Sequence, residues 1–253
     1  MKIKMIVLDL DGTLLHDDKT ISGYSKTIIQ QCRKKGIKVI FATVRGTIHG
    51  VVPIELFDGY VIKSGALAYD NDVLVYKRAM LIDDMRGLFL ACDKAGLEIV
   101  ASDSYDGTCY TNFTVTEAWT TKHKKVDFAG ISFHSDKIYM ENITCKTASV
   151  IKNNLPKDVR LFISRDNTAF LSHEEAIKSM ATMALANKWN IKKEEILCFG
   201  DDLVDIEILQ YCGIGVAMDN ALNEVKTAAD YICDTNNNDG AAKWIEEHLL
   251  QAN

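Results

Sequence analysis

Proline is nearly absent from this chain of 253 residues. Pro53 and Pro156 are the only two, and no Gly/Ser-rich stretch accompanies them, which excludes long flexible linkers. Cys-x-x-Cys pairs are missing as well. The seven cysteines, at 32, 92, 109, 145, 198, 212 and 233, are odd in number and read as reduced thiols, mostly core residues. The six histidines, at 16, 49, 123, 134, 173 and 248, lack zinc-like spacing, so zinc is not expected. Nor is there an excess of positive charge. Lys and Arg number 29 against 35 Asp and Glu, and the net charge of −6 argues against nucleic acid as the main partner. No apolar run approaches the ~20 residues that span a bilayer. Met-Lys-Ile-Lys leads directly into a strand pattern, which leaves no room for a removable leader, so no membrane association and a cytoplasmic location are expected.

What the chain does have is apolar material, 47% of its residues, enough for one large α/β domain or a core domain with a smaller insert. Ile3 to Leu8 reads as an inner strand of a parallel sheet. A helical pattern from Ile21 ends in Lys34-Lys35-Gly36, with cations in its last turn, and a second strand, Ile37 to Ala42, follows. Strand, helix and strand make a βαβ unit. Short strands are expected at Gly59 to Lys63 and Ala66 to Tyr69. From about Met80 the texture changes to helix Ile82 to Ala95, a hairpin of Leu97 to Ser102 with Thr108 to Asn112, strand Lys137 to Ile143, helix Ala148 to Asn154, and strands Val159 to Ser164 and Thr168 to Leu171. The doubly wound rhythm then returns with helix Ala176 to Trp189, strand Ile196 to Phe199, helix Val204 to Gln210, strand Ile214 to Ala217, and helices Ala221 to Ala229 and Gly240 to Leu250. The expected fold is therefore α/β: a doubly wound, mainly parallel, Rossmann-like core of residues 1–80 and 176–253, with an inserted smaller α+β domain at 81–175.

The first strand breaks into Asp9-Leu10-Asp11-Gly12-Thr13, which puts two carboxylates at the strand end, where parallel sheets bind ligands. Period-two alternation points Asp9 and Asp11 the same way and Leu10 inward. Strand Ile196 to Phe199 ends in a second acidic cluster, Gly200-Asp201-Asp202-Leu203-Val204-Asp205. So many carboxylates repel unless a cation holds them, and a hard divalent ion that keeps waters for a phosphate to replace suits the set, magnesium better than calcium. Phosphoryl transfer also needs cations and hydroxyls on the phosphate oxygens, for which Thr43, just past the second strand, and Lys178, at the helix where the core resumes, are the candidates.

These four pieces, in this order, resemble the haloacid dehalogenase-like hydrolases, and within them the Cof-type phosphatases with a type IIB cap. The resemblance rests on Asp9-Leu10-Asp11-Gly12-Thr13-Leu14-Leu15, on Phe41-Ala42-Thr43-Val44-Arg45, on Lys178 and on Gly200 to Asp205, with Gly213 to Ala221, Val225-Lys226 and Ala229-Asp230-Tyr231 in support. It implies Asp9 as a nucleophile that forms an aspartyl-phosphate, and Asp11 as the acid that protonates the leaving oxygen and later activates water. Thr43 and Lys178 would bind the phosphoryl group. Asp9, the backbone carbonyl of Asp11, and Asp201 would hold Mg2+, with Asp205 a ligand through water or an anchor behind the others. The insert would be the cap that chooses a small phosphorylated substrate, and the protein a monomer or weak homo-oligomer.

The chain departs from the family pattern at four positions: Val44 and Ser179 replace glycine, and Ser64 and Val204 replace asparagine. Losing the amide at 204 removes one hydrogen bond, worth ~1 kcal/mol, from the acidic loop. Within the insert Tyr105, Tyr110, Asn112 and Trp119 are pocket candidates that read more readily as core, and Lys122-His123-Lys124-Lys125 reads as a solvated face. The main expectation is a magnesium-dependent phosphatase acting on a sugar phosphate, a nucleotide or a phosphorylated cofactor. A phosphosugar mutase sharing the aspartyl-phosphate, and a phospholigand-binding regulator whose catalysis has decayed, stand as alternatives.

Overall fold

The computed structural model describes residues 2–46, 48, 50–103, 107–115, 122–164 and 166–251. Two compact units divide the chain, Met1–Lys77 with Ile177–Asn253, and Arg78–Ala176. The first unit begins with β1 (Met5–Leu8), α1 (Gly23–Lys34), β2 (Lys38–Ala42), β3 (Gly59–Ile62), β4 (Leu67–Asp70) and β5 (Val73–Lys77). The second comprises β6 (Met80–Leu81), α2 (Ile82–Lys94), β7 (Ile99–Asp103), β8 (Cys109–Thr111), β9 (His123–Lys125), β10 (His134–Met140), α3 (Cys145–Asn153), β11 (Val159–Ile163) and β12 (Ala169–His173). The first resumes with α4 (Lys178–Lys188), β13 (Ile196–Gly200), α5 (Ile206–Tyr211), β14 (Ile214–Ala217), α6 (Asn223–Ala228), β15 (Tyr231–Ile232) and α7 (Gly240–Ile245).

The sheet of the first unit runs β15-β14-β13-β1-β2-β3-β4-β5, parallel from β15 to β3, with β4 and β5 added antiparallel. Every residue of β1 is buried, as an apolar strand covered on both faces must be. Leu8 lies level with Phe41 on one side and Phe199 on the other, so the carboxyl ends of β13, β1 and β2 share one edge. The chain leaves β1 through α1 to β2 on one flank, while β13 on the other flank arrives from the far end of the sequence. Strand order reverses at β1, the position where doubly wound sheets open a crevice for a ligand. Helix α1 starts where the Ser22 hydroxyl accepts the Ser25 amide hydrogen and ends with Arg33 and Lys34 at its negative pole.

The second unit is an α+β layer. Its sheet, β11-β12-β10-β7-β8-β9, is antiparallel apart from the β8–β9 pair. Ile82, Met85, Leu88 and Phe89 of α2 pack with Ile138, Met140 and Leu171 of the sheet in a core of its own. Tyr110 packs on Phe133 with ring centres 4.5 Å apart, and Asn112 donates to Asp93 and to the Leu97 carbonyl while accepting the Ile99 amide, so both serve the architecture. Tyr105 and Trp119 lie outside the described residues. The basic run forms the exposed strand β9. Among the described residues no helix is long and apolar enough to cross a membrane.

The structure moves some boundaries and adds short strands. Strand β10 spans His134–Met140 rather than Lys137 to Ile143, because the chain turns at Asn142 (φ 57°) and Thr144 then caps α3 through a reciprocal bond with Thr147. The helix expected from Val204 opens as a 3-10 turn at Leu203–Asp205 and becomes α5 only at Ile206. The reading of all seven cysteines as thiols is corrected at one pair: Cys198 of β13 and Cys212, just past α5, are joined as a disulfide, their Cα atoms 6.5 Å apart. The turn of chain through α5 brings them together, a proximity no local spacing encodes.

At the end of β3 two consecutive residues that carry side chains, Lys63 (φ 54°) and Ser64 (φ 59°), take the left-handed conformation. Serine pays more for it than asparagine, whose short amide tolerates that region. Ser64→Asn is expected to raise stability by about 0.5 kcal/mol, on the scale of relieving one disfavoured backbone conformation. Urea unfolding measures it, and an unchanged or lowered midpoint would refute the strain at this position.

Candidate active site

Every acidic residue singled out in the sequence emerges at the shared edge of β13, β1 and β2. Asp9 follows β1 directly, its amide donating to the Phe199 carbonyl of β13 at 3.1 Å. Lys178, the first residue of α4, reaches the same point: its Nζ lies 2.6 Å from Asp9 Oδ1 and 2.7 Å from Asp205 Oδ1. Asp9, Lys178 and Asp205 are all buried, with side-chain exposures of 10%, 3% and 1%. A buried ammonium is costly unless its hydrogens find acceptors, and here two carboxylates take them. Burial alone would lower the Lys178 ammonium, but Asp205 and Asp9 outweigh it and hold it above the usual lysine range.

The acidic loop after β13 is tied from within. Asp205 Oδ2 accepts the amides of Asp201 and Asp202, each at 3.2 Å, while its other oxygen meets Lys178. This satisfies the turn in which Val204 replaces the family asparagine. Thr13 donates to Asp201 Oδ1 at 2.9 Å and so links the loop after β1 to the loop after β13. Gly12 makes that approach feasible, since a Cβ on it, at φ +78°, would stand 2.3 Å from Asp201 Oδ2; Gly200 lets the loop after β13 fold back on itself, since a Cβ there would stand 2.5 Å from the Asp205 Cβ. The departure at Ser179 brings a new contact, since its hydroxyl donates to Glu207 and ties α4 to α5 beside Lys178.

Asp9, Asp201 and Asp205 each offer an oxygen within one span of 4.8 Å. Among the described residues one buried ammonium, that of Lys178, faces these three carboxylates. Burial, opposed in part by Lys178, pushes Asp9 up to about 8, and burial together with neighbouring carboxylates raises Asp201 to about 6. Both shifts mark a place short of positive charge. A set of hard carboxylate oxygens, some of them still able to accept, fits a divalent cation of the magnesium type.

Asp11 stands apart from that group. Its carboxylate takes Arg45 Nε at 2.5 Å and Nη2 at 2.6 Å, and Lys19 Nζ at 2.9 Å. The Arg45 hydrogen bonds are the main reason its carboxyl is held down at about 2. Thr43, fully buried, accepts the Arg45 amide on its Oγ1 at 3.2 Å, while its own amide donates to Val61 and its carbonyl accepts from Ser64. Asn220 donates to the Gly12 carbonyl at 2.7 Å and steadies the same turn. The structure thus brings together Asp9, Lys178, Asp201 and Asp205, and places Asp11 and Thr43 on the adjoining turns. Sequence reasoning gave no role to Arg45, Lys19, Thr13 or Asn220. Arg45 was detectable as a charge two residues past Thr43, but nothing local pairs it with Asp11.

Comparison with known proteins identifies the family of the chain. Residues 6–245 match the family model described as haloacid dehalogenase-like hydrolase. A 5-amino-6-(5-phospho-D-ribitylamino)uracil phosphatase of Bacillus subtilis is 28% identical, over 98% of this chain and 96% of its own. A phosphoglycolate phosphatase of Saccharolobus solfataricus is 26% identical, over 98% and 96%. Among solved structures, a haloacid dehalogenase-like hydrolase from Bacteroides thetaiotaomicron superposes with a TM-score of 0.80 at 24% identity, covering 97% of this chain and 99% of that one. A sugar phosphatase of subclass IIB gives 0.78 at 22%, covering 96% and 98%. With the family model spanning nearly its whole length, the chain belongs to the haloacid dehalogenase-like hydrolases.

Proposed function

We propose that this protein is a magnesium-dependent phosphatase that hydrolyses a small phosphomonoester through an aspartyl-phosphate on Asp9. The observation that carries the reading is the buried Asp9–Lys178–Asp205 chain with Asp201 beside it, at the point where strand order reverses. A sugar phosphate, a nucleotide or a phosphorylated cofactor is the substrate class. The activities named for the two relatives, one on a phosphorylated ribitylaminouracil and one on phosphoglycolate, support a small phosphorylated metabolite. Residues 81–175 are proposed as the cap that selects it.

In this reading an Asp9 carboxylate oxygen attacks phosphorus while the bond to the leaving oxygen breaks, and Asp11, which Arg45 holds ionised in the free protein and which has to carry a proton in this step, gives it to that oxygen. Asp11 then takes a proton from the water that attacks the aspartyl-phosphate, which frees phosphate and restores Asp9. Thr43 accepts the Arg45 amide, so its hydroxyl hydrogen remains to donate to a phosphoryl oxygen. Lys178 orients Asp9 and offers its charge to the same group. Asp9, the Asp11 carbonyl and Asp201 would hold magnesium. Asp205, whose oxygens already accept from Lys178 and two amides, suits the anchoring role behind them. Bound magnesium would supply positive charge against the phosphoryl oxygens.

Phosphate release from sugar phosphates, nucleotides, pyridoxal phosphate and p-nitrophenyl phosphate tests the reading. Release is expected only with magnesium and is expected to vanish in Asp9→Asn with the fold intact; an active Asp9→Asn protein removes the nucleophile assignment. Asp201→Ala is expected to raise the magnesium concentration needed for half-maximal rate, and an unchanged requirement excludes Asp201 as a ligand. Lys178→Met leaves two buried carboxylates without their cation and is expected to cost about 3 kcal/mol of stability in urea with a chelator present. A midpoint equal to the parent's would mean that the ion pair contributes nothing.

A further inference from the structure

Arg45 is committed to Asp11 in a way that binding a phosphate alone would not require. Two donors on one edge of its guanidinium, Nε and Nη2, meet the two carboxylate oxygens as a fork, Nε on Oδ2 at 2.5 Å and Nη2 on Oδ1 at 2.6 Å. Lys19 adds a bond to Oδ1 at 2.9 Å. Such a planar fork fixes the direction of a carboxylate, whereas an ammonium would fix only its distance. The fork is held at its own root: the Arg45 amide donates to Thr43 Oγ1, and its carbonyl accepts the Lys63 amide at 2.9 Å. Asp11 itself stands on a turn with its side chain one-third exposed, at 33%, so packing does little to orient it.

A carboxylate offers about four lone-pair sites, two on each oxygen. In this arrangement Oδ1 meets both Nη2 and Lys19, while Oδ2 meets Nε alone. Among the described residues one site is left, and it lies on Oδ2. We infer that Arg45, assisted by Lys19, is a positioning residue that presents Oδ2 of Asp11 as the acceptor for the proton of the attacking water in the second half-reaction. That water's oxygen forms the new bond to phosphorus, its proton goes to Asp11 Oδ2, and the bond between phosphorus and the Asp9 oxygen breaks. The inference rests on the role proposed above for Asp11.

The test uses p-nitrophenyl phosphate with magnesium in a rapid-mixing experiment. Nitrophenolate leaves without a proton, so formation of the aspartyl-phosphate does not need Asp11, whereas its hydrolysis does. Arg45→Ala is expected to release about one nitrophenolate per active site in a burst and then to turn over at least ~10-fold more slowly than the parent, the loss that misorients a general base. Asp11→Asn is the reference and is expected to give the same burst. Burst and slow phase are read on one preparation, so a misfolded fraction lowers both together and leaves their ratio intact. A burst with Asp11→Asn but none with Arg45→Ala, or a raised KM with little change in kcat, would overturn the positioning role and make Arg45 a phosphate ligand. A burst in neither variant would overturn the role of Asp11, and this inference with it.

Discussion

The ammonium of Lys178, buried between Asp9 and Asp205, is the interaction on which the site is built. It joins the end of β1 to the start of α4 and to the loop after β13, three segments drawn from both ends of the chain. Removing either partner would strand a charge in the interior, so the geometry is held far more tightly than exposed pairs such as Lys19 with Asp11 could hold it. The same ion pair leaves Asp201 and part of Asp9 without a counter-charge. One arrangement thus holds the carboxylates together and leaves a set that could bind a metal: the lysine does not neutralise them all.

Two constraints follow from that packing. The loop after β13 presses Asp201 against Gly12 and folds Asp205 back against its own Gly200, so these glycines are set by contact as much as by backbone shape. Two of the departures from the family pattern sit beside this frame. Asp205 ties the turn that contains Val204, and Ser179 supplies a bond to Glu207 between α4 and α5. Ser64 donates its amide to the Thr43 carbonyl, and its left-handed conformation remains.

What could be read from the sequence was what local chemistry encodes. The strand running into Asp9-Leu10-Asp11, the βαβ unit and the second acidic cluster are contiguous, and their periodicity placed them at strand ends. Lys178 was a candidate for its charge alone, since a lone lysine at a helix start carries no distinctive pattern, and the resemblance gave it a role. The short strands β5 and β15 escaped because they are exposed and lie at the sheet's edges, where neither alternation nor burial leaves a strong mark. The fork between Arg45 and Asp11 and the cystine of Cys198 and Cys212 escaped for another reason: each joins residues whose proximity exists only once the crossovers are formed.

The central claim is a covalent bond between phosphorus and Asp9. Rapid acid quench during turnover of p-nitrophenyl phosphate with magnesium, followed by digestion and mass spectrometry, tests it most directly. The account predicts a phosphoryl group on the peptide that carries Asp9-Leu10-Asp11, assigned to Asp9 by fragmentation. Phosphate on any other residue, or steady turnover with that peptide never modified under conditions where the intermediate should accumulate, would contradict it.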